Sequence, residues 1–221
     1  RLDTAARSLA LLNAKTKEEA ARLAGDLTAL NQSRKALTEK GKEEAIRIIE
    51  TTELKNDRVL VVYLPDCHES LAGIIAGRIR EKYHRPAFVL TGGETSAKGS
   101  GRSIESYSMY EELVKCADLM IQFGGHPMAA GLSIEEKNIE EFRRRLNVNC
   151  TLTDEELRPK IVIDVPMPVS YITKELVEQI SLLEPFGKGN TKPVFAQKSL
   201  RVLDYSIIGK NKNVVKLKLL D

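Results

Sequence analysis

Apolar positions in the first fifty residues recur at helical spacing. Ala20, Leu23, Ala24, Leu27 and Leu30 lie three and four apart, and the pattern runs on loosely to Ile48 and Ile49 with no proline to stop it. Just ahead, Thr16-Lys17-Glu18-Glu19 has the form of a capping box, in which Thr and Glu satisfy free N–H groups at a helix start. A helix is predicted to begin there. Gly41 is its weak point, costing about 1 kcal/mol relative to alanine. Unbroken, such a helix spans about 50 Å, longer than ordinary globular helices and suited to connecting two domains.

From Arg58 the period changes. VLVVYLP is a continuous β-branched run of buried-strand type, SLAGIIAGRIREKY returns to helical spacing, and PAFVLT reads as a second buried strand. Strand, helix and strand in this order predict a βαβ unit with a parallel crossover. A short strand around KGSGRSI, a helix near Met109 to Cys116, a loop and strand in FGGHPMAAGLSI and a helix over NIEEFRRRLN complete an α/β domain. Thr151 to Pro159 is polar and irregular, the composition of a linker. Beyond it KIVIDVPM predicts a strand, and Thr173 to Leu183 a short amphipathic helix. Two β-like segments, Val194 to Ile208 and Val214 to Leu220, flank a turn and form a hairpin that needs further strands. The expected domains are 1–54 (a connecting helix), 55–149 (α/β), 150–159 (linker) and 160–221 (β-rich and partial).

Composition adds little beyond exclusions. With 221 residues and 42% hydrophobic positions the chain can bury a real core, and no apolar run reaches membrane-spanning length. Without a signal-peptide pattern, a cytoplasmic protein is expected. Cys67, Cys116 and Cys150 include no Cys-x-x-Cys pair, which argues against a disulfide framework or a structural zinc site. The net charge of +3 is too near balance to identify a nucleic-acid partner by itself. Arg1 begins in mid-pattern and Asp221 follows a strand-like run directly, so the chain is expected to be a piece of a longer protein.

Two segments could carry chemistry. Lys98-Gly99-Ser100-Gly101-Arg102-Ser103 joins glycines, hydroxyls and a guanidinium, a set suited to phosphate; the alternative is a Gly-rich hairpin with a solvated Arg. In Phe123-Gly124-Gly125-His126-Pro127, the glycines would let His126 sit on a tight exposed turn. It could donate to a phosphate oxygen or meet a metal held by another domain, or be structural. No His/Asp cluster with metal-ligand spacing is present, so no metal site is expected within this chain. Arg78 lies in an otherwise apolar helix after Gly73 and Gly77, and a buried Arg calls for an anion unless it snorkels to solvent. Arg143-Arg144-Arg145 reads as a solvated face or a contact to a nucleic-acid backbone.

Taken in order, HESLAGIIAGRIREKYHRPAFVL, AKGSGRSI and FGGHPMAAGL resemble the DHH-associated domain of RecJ exonucleases over residues 58–146. The GGH alone marks only the DHH superfamily. LEPFGKGNTKPVF resembles the signature of the RecJ OB-type domain, and Arg1 to Arg7 looks like the family's Arg-Ile-Asn-Ala-Ala-Gly-Arg exit from the DHH domain, with Asp3 and Ala6 as departures. The resemblance implies an α/β fold: a long connecting helix, a DHH-associated domain with a mixed sheet, then a partial OB-type domain. It implies a metal-dependent 5′ to 3′ single-stranded-DNA exonuclease of repair and recombination, with two Mn²⁺ or Mg²⁺ ions in a DHH domain absent from this chain. The chain alone is then expected to be inactive. Carried over by position, Arg7, Arg78, Ser100 and Arg102 would form the 5′-phosphate pocket, Gly124 and Gly125 would also bind substrate, and His126, facing the metals or the scissile phosphate, would be the catalytic residue. The alternatives are a DHH phosphoesterase acting on short oligonucleotides or cyclic dinucleotides, and a non-catalytic nucleic-acid-binding module.

Overall fold

A computed structural model describes residues 5–209 and 211–220. Arg1 to Thr4, which open the segment compared with the DHH-domain exit, lie outside the described residues, as do Lys210 in the hairpin turn and Asp221. The chain divides into two compact units, Arg1–Pro159 and Lys160–Asp221.

The first unit opens with α1 (Ala6–Leu12) and α2 (Lys17–Thr51). The predicted cap is present: Thr16 Oγ1 accepts the Glu19 N–H at 3.2 Å, while the Glu19 carboxylate reaches back to the Lys15 N–H at 3.0 Å. α2 does not break at Gly41. A Cβ there would come within 2.6 Å of the Ile75 side chain, so the glycine marks where α2 packs closely on the next helix. The βαβ unit follows as β1 (Leu60–Leu64), α3 (Glu69–Tyr83) and β2 (Ala87–Thr91), with β1 and β2 parallel. Then come β3 (Ala97–Arg102), α4 (Met109–Val114), β4 (Met120–His126), β5 (Ala129–Ile134) and α5 (Ile139–Val148). The sheet order is β1-β2-β3-β5-β4, antiparallel from β2 onward, so the sheet is mixed.

Alternation along the strands sends side chains to two separate cores. On one face Leu60, Val62, Ala87 and Val89 pack under α3 and the C-terminal part of α2, through Leu71, Ile75, Ile79, Ala45 and Ile49. On the other, Val61, Phe88, Leu90 and Ile134 pack against Met109 and Leu113 of α4 and Phe142 and Leu146 of α5. Phe88 and Phe142 meet edge to face at 5.4 Å.

Three sequence expectations change here. FGGH is not a loop but the end of strand β4, because pairing with β5 overrides glycine's poor strand propensity. The polar stretch after residue 150 is not loose throughout: Leu152 is buried, and the Arg58 guanidinium donates to the Leu152 carbonyl and pairs with Asp154 at 2.7 Å. The Arg143–Arg145 run is only in part a solvated face: Arg144 stays exposed beside Glu141 at 2.7 Å, whereas Arg143 is largely withdrawn against Asp57 at 2.5 Å and Arg145 pairs with Asp118 at 2.8 Å.

The second unit contains β6 (Val165–Pro166) pairing parallel with β7 (Phe195–Ala196), α6 (Lys174–Ser181) and the hairpin β8 (Arg201–Ile208) with β9 (Val214–Leu220). KIVIDVPM yields only the two-residue β6, and the segment Val194 to Ile208 is interrupted before β8, where Ser199 takes a φ of 62°.

Candidate functional site

The site lies on the α3 face of the sheet where α3 ends its cover. α3 packs over β2 and β3, leaving β5 and β4 extending past it. In register, Lys98, Ser100 and Arg102 of β3 stand opposite Ser133, Gly131 and Ala129 of β5, which stand opposite Gln122, Gly124 and His126 of β4. Paired positions share a face, so these nine residues form a three-by-three patch. Its middle row is Ser100, Gly131 and Gly124, two of them without side chains.

Arg102 is held by helix α3. A Cβ on Gly73 would come within 2.8 Å of Arg102 Nη2 and 3.6 Å of Ser100 Cβ, and one on Gly77 would meet Arg102 Cγ at 4.0 Å. The two glycines, one turn apart, thus leave a groove in which the guanidinium folds back toward Ser100. Nη1 donates to the Gly101 carbonyl at 2.7 Å. Among the described residues the guanidinium forms no ion pair with a carboxylate. A part-buried Arg lacking a counter-charge is suited to an anion.

The glycines of this strand act differently from the sequence expectation. β3 is paired on both sides, so its N–H groups belong to the ladder and are not free for a phosphate. Gly99 and Gly101 face the opposite core, where a Cβ on Gly101 would meet Met109 Sδ at 2.5 Å and the Phe88 ring at 2.6 Å. The phosphate chemistry here belongs to side chains.

His126 ends β4 at the far corner of the patch, across β5 from Arg102 and so about 10 Å away by strand spacing. Its turn is tied to the chain leaving Arg102: the Ser103 N–H donates to the Met128 carbonyl at 2.9 Å and the Met109 N–H to the Pro127 carbonyl at 3.0 Å. His126 Nδ1 accepts the Met128 N–H at 3.3 Å, which leaves the proton of the neutral ring on Nε2, available to donate outward. Gly125 has φ +154°, and a Cβ there would run into the Ala129 carbonyl, so it is needed for the close turn. A methyl on Gly124, by contrast, would meet nothing within 4 Å, and this residue serves only as floor.

Arg78 and Arg7 are not brought to this patch by the contacts seen. Arg78 is five residues after Gly73, about 140° around the helix, and the sequence expectation that it sits on the apolar face is corrected: its side chain is 61% exposed and pairs with Glu81 at 3.1 Å. Arg7 is on exposed α1.

Beside the patch is a cavity of about 470 Å³ walled by the start of α3 (Glu69, Ser70) and floored by Gly124 and Gly131, with Lys98, Gln122 and Ser133 at its edge. His68 caps α3, its Nδ1 accepting the Ser70 N–H at 3.1 Å. Lys98 Nζ meets Glu69 at 2.7 Å, and that contact holds the Glu69 carboxyl below its ordinary range and the Lys98 ammonium above its own. Sequence reasoning missed Glu69, Gln122 and Ser133. The i, i+2 alternation outward from Ser100 would have found Lys98; the others depend on register across strands.

A family model described as the DHHA1 domain matches residues 56–150, and one described as the RecJ OB domain matches residues 163–221. The α/β body is thus a DHHA1 domain and the second unit a RecJ OB domain. The chain belongs to the RecJ family. It is 34% identical, over 98% of its length, to the single-stranded-DNA-specific exonuclease RecJ of Bacillus subtilis, and 35% identical, over 95%, to that of Salmonella typhimurium. Crystal structures of Thermus thermophilus RecJ with Mg²⁺ and with Mn²⁺ match 97% of this chain at 26% identity, with TM-scores of 0.74 and 0.76. The chain spans 28% and 38% of the two curated relatives and 33% of the solved chains. Among the described residues no group of His, Cys, Asp or Glu could hold a metal ion, and no helix is long and apolar enough to cross a membrane.

Proposed function

We propose that this chain is the DNA-handling part of a 5′ to 3′ single-stranded-DNA exonuclease of repair and recombination, whose substrate and partner is single-stranded DNA. Within it, 1–54 serves as connector, 55–149 as phosphate-binding body, 150–159 as a linker whose first half is tied to that body through Leu152 and Asp154, and 160–221 as an OB-type strand-binding module. The carrying observation is Arg102: a guanidinium laid in a glycine groove beside Ser100, with no carboxylate partner among the described residues. A 5′-terminal phosphate fits this pair because it carries more charge than an internal diester, and an Arg fork gains most from that charge. His126, with Nε2–H facing outward, would donate to the next phosphate along. Gly124 and Gly125 keep the path between them open and the turn tight. Arg78 and Arg7, both on exposed helical surface, are kept in this reading as further substrate contacts on the ground of the family resemblance alone. Among the described residues no group of three or more His, Cys, Asp or Glu could hold a metal ion; in this reading the Mn²⁺ or Mg²⁺ ions would be held by a DHH domain.

The test measures binding of oligothymidylate with a 5′-phosphate or a 5′-hydroxyl to the 221-residue chain. Arg102→Ala should weaken the phosphorylated end by roughly 10- to 150-fold, the equivalent of about 1.5–3 kcal/mol for a hydrogen bond to a charged group. The hydroxyl end should change far less. Equal loss on both ends would reject the terminal-phosphate role.

A further inference from the structure

We propose that Ser103 is a positioning residue that fixes His126 relative to Arg102, so that a terminal phosphate and the next phosphate along the strand are met at once. The inference rests on the phosphate reading of Ser100, Arg102 and His126. Ser103 directly follows Arg102, and by residue type it suits a phosphate as well as Ser100 does. Its side chain, however, is not available to a ligand: Ser103 is only 2% exposed, and its Oγ donates to the Tyr107 carbonyl at 2.6 Å. A buried hydroxyl already committed to a carbonyl acts on the chain and not on the substrate.

Two attachments tie the chain beyond Arg102 to the His126 turn. At the first, the Ser103 N–H donates to the Met128 carbonyl at 2.9 Å, and the N–H of the same Met128 donates to His126 Nδ1 at 3.3 Å. Ser103 is thus linked through a single residue to the imidazole, on the nitrogen whose bond leaves the Nε2 proton facing outward. At the second, the Met109 N–H at the start of α4 donates to the Pro127 carbonyl at 3.0 Å. The Ser103 Oγ bond closes the loop between these two attachments, together with the Tyr107 N–H on the Ile104 carbonyl at 3.2 Å. Ile104 and Tyr107 anchor the loop in the core shared with α4 and α5, while Glu105 and Ser106 at its tip are exposed. With alanine at 103 the Tyr107 carbonyl loses this partner, and the span from Ser103 to Met109 is no longer set. The His126 ring then loses its fixed distance from Arg102.

The experiment measures binding of thymidine 5′-monophosphate and of the 5′-phosphorylated dinucleotide pTpT to the 221-residue chain. The wild type should bind pTpT more tightly, because its second phosphate reaches His126. Ser103→Ala should leave the monophosphate unchanged and remove most of the dinucleotide's advantage, roughly tenfold, the scale of one hydrogen bond to a charged group. In a double-mutant cycle it should add nothing to His126→Ala, since the one residue acts only through the other. A residue that merely held the fold would weaken both ligands or add a loss of its own. The wild type supplies a measurement that needs no variant: the amides of Ser103, Met109 and Met128 should exchange more slowly with pTpT bound than with the monophosphate, because a ligand on His126 stabilises the clamped form. Ser103→Ala acting on both ligands alike or on neither, losses that add in the double variant, or equal amide exchange with the two ligands would each overturn the proposal while the phosphate reading stands. If His126→Ala leaves the dinucleotide's advantage intact, the reading of His126 fails and this proposal with it.

Discussion

At Gly101 there is no room for a methyl group: its Cβ would fall 2.5 Å from Met109 Sδ and 2.6 Å from the Phe88 ring. Both neighbours are fully buried, so neither can swing away. Gly101→Ala should therefore cost about 1–3 kcal/mol by overpacking, whereas Gly124→Ala, facing open space, should change stability little. Urea midpoints of the two variants decide the matter, and equal midpoints would mean that the strand tolerates the methyl. Glu141 offers a second residue-scale test. Hydrogen bonds from the Arg144 and Arg145 guanidinium groups hold its carboxyl down, from 4.5 to about 2. A depressed carboxylate contributes stability that is fully present above pH 4.5 and disappears as pH falls toward 2. The melting-temperature difference between wild type and Glu141→Gln should hold steady above pH 4.5 and close between 4.5 and about 2. A difference that widens on acidification would contradict the sign.

At the scale of elements, α5 is what secures the edge of the sheet. β1 is an edge strand, and the Asn147 side chain acts as its surrogate partner at the entry: Oδ1 accepts the Arg58 and Val59 N–H groups at 2.9 and 3.0 Å, and Nδ2 donates to the Val59 carbonyl at 2.9 Å. One turn earlier, Arg143 grips Asp57 through Nε at 2.5 Å and Nη2 at 3.1 Å, with side chains only 19% and 14% exposed. Arg143→Ala should lower stability by about 1.5–3 kcal/mol, measured by urea denaturation. It should leave the difference between phosphorylated and hydroxyl DNA ends intact. A selective loss on DNA binding with unchanged stability would restore the reading of this run as a backbone contact. Helix α2 shows the same lesson in another form. Its periodicity and Thr16 cap were legible, but whether Gly41 breaks it depended on Ile75, 34 positions further along, filling the space a side chain would need.

For the whole molecule, the division between Pro159 and Lys160 predicts where a protease enters. Leu152 and Asp154 are tied to the first unit by Arg58, so the accessible backbone lies after them, where residues 159–163 form neither helix nor strand. Trypsin should cut after Lys160 before it cuts within β1 to β5, leaving a product that mass spectrometry places at residues 1–160. First cleavage within the sheet would overturn the division. By itself the sequence determined the order and type of most elements of the α/β body, because buried strands and amphipathic helices there have strong periods, and it marked Ser100, Arg102 and His126, because hydroxyl, guanidinium and imidazole groups beside glycines match phosphate chemistry. The tertiary structure alone decided what those glycines do. Gly73 and Gly77 make the groove for Arg102, Gly99 and Gly101 yield to the core, and Gly124 and Gly131 leave an open floor. It also decided that Lys98, Gln122 and Ser133 stand in one patch, while Arg78 turns away to Glu81. A glycine's role is set by what occupies the space beside it, and a patch that spans three strands is set by register; both depend on contacts between distant parts of the chain, which no local pattern carries.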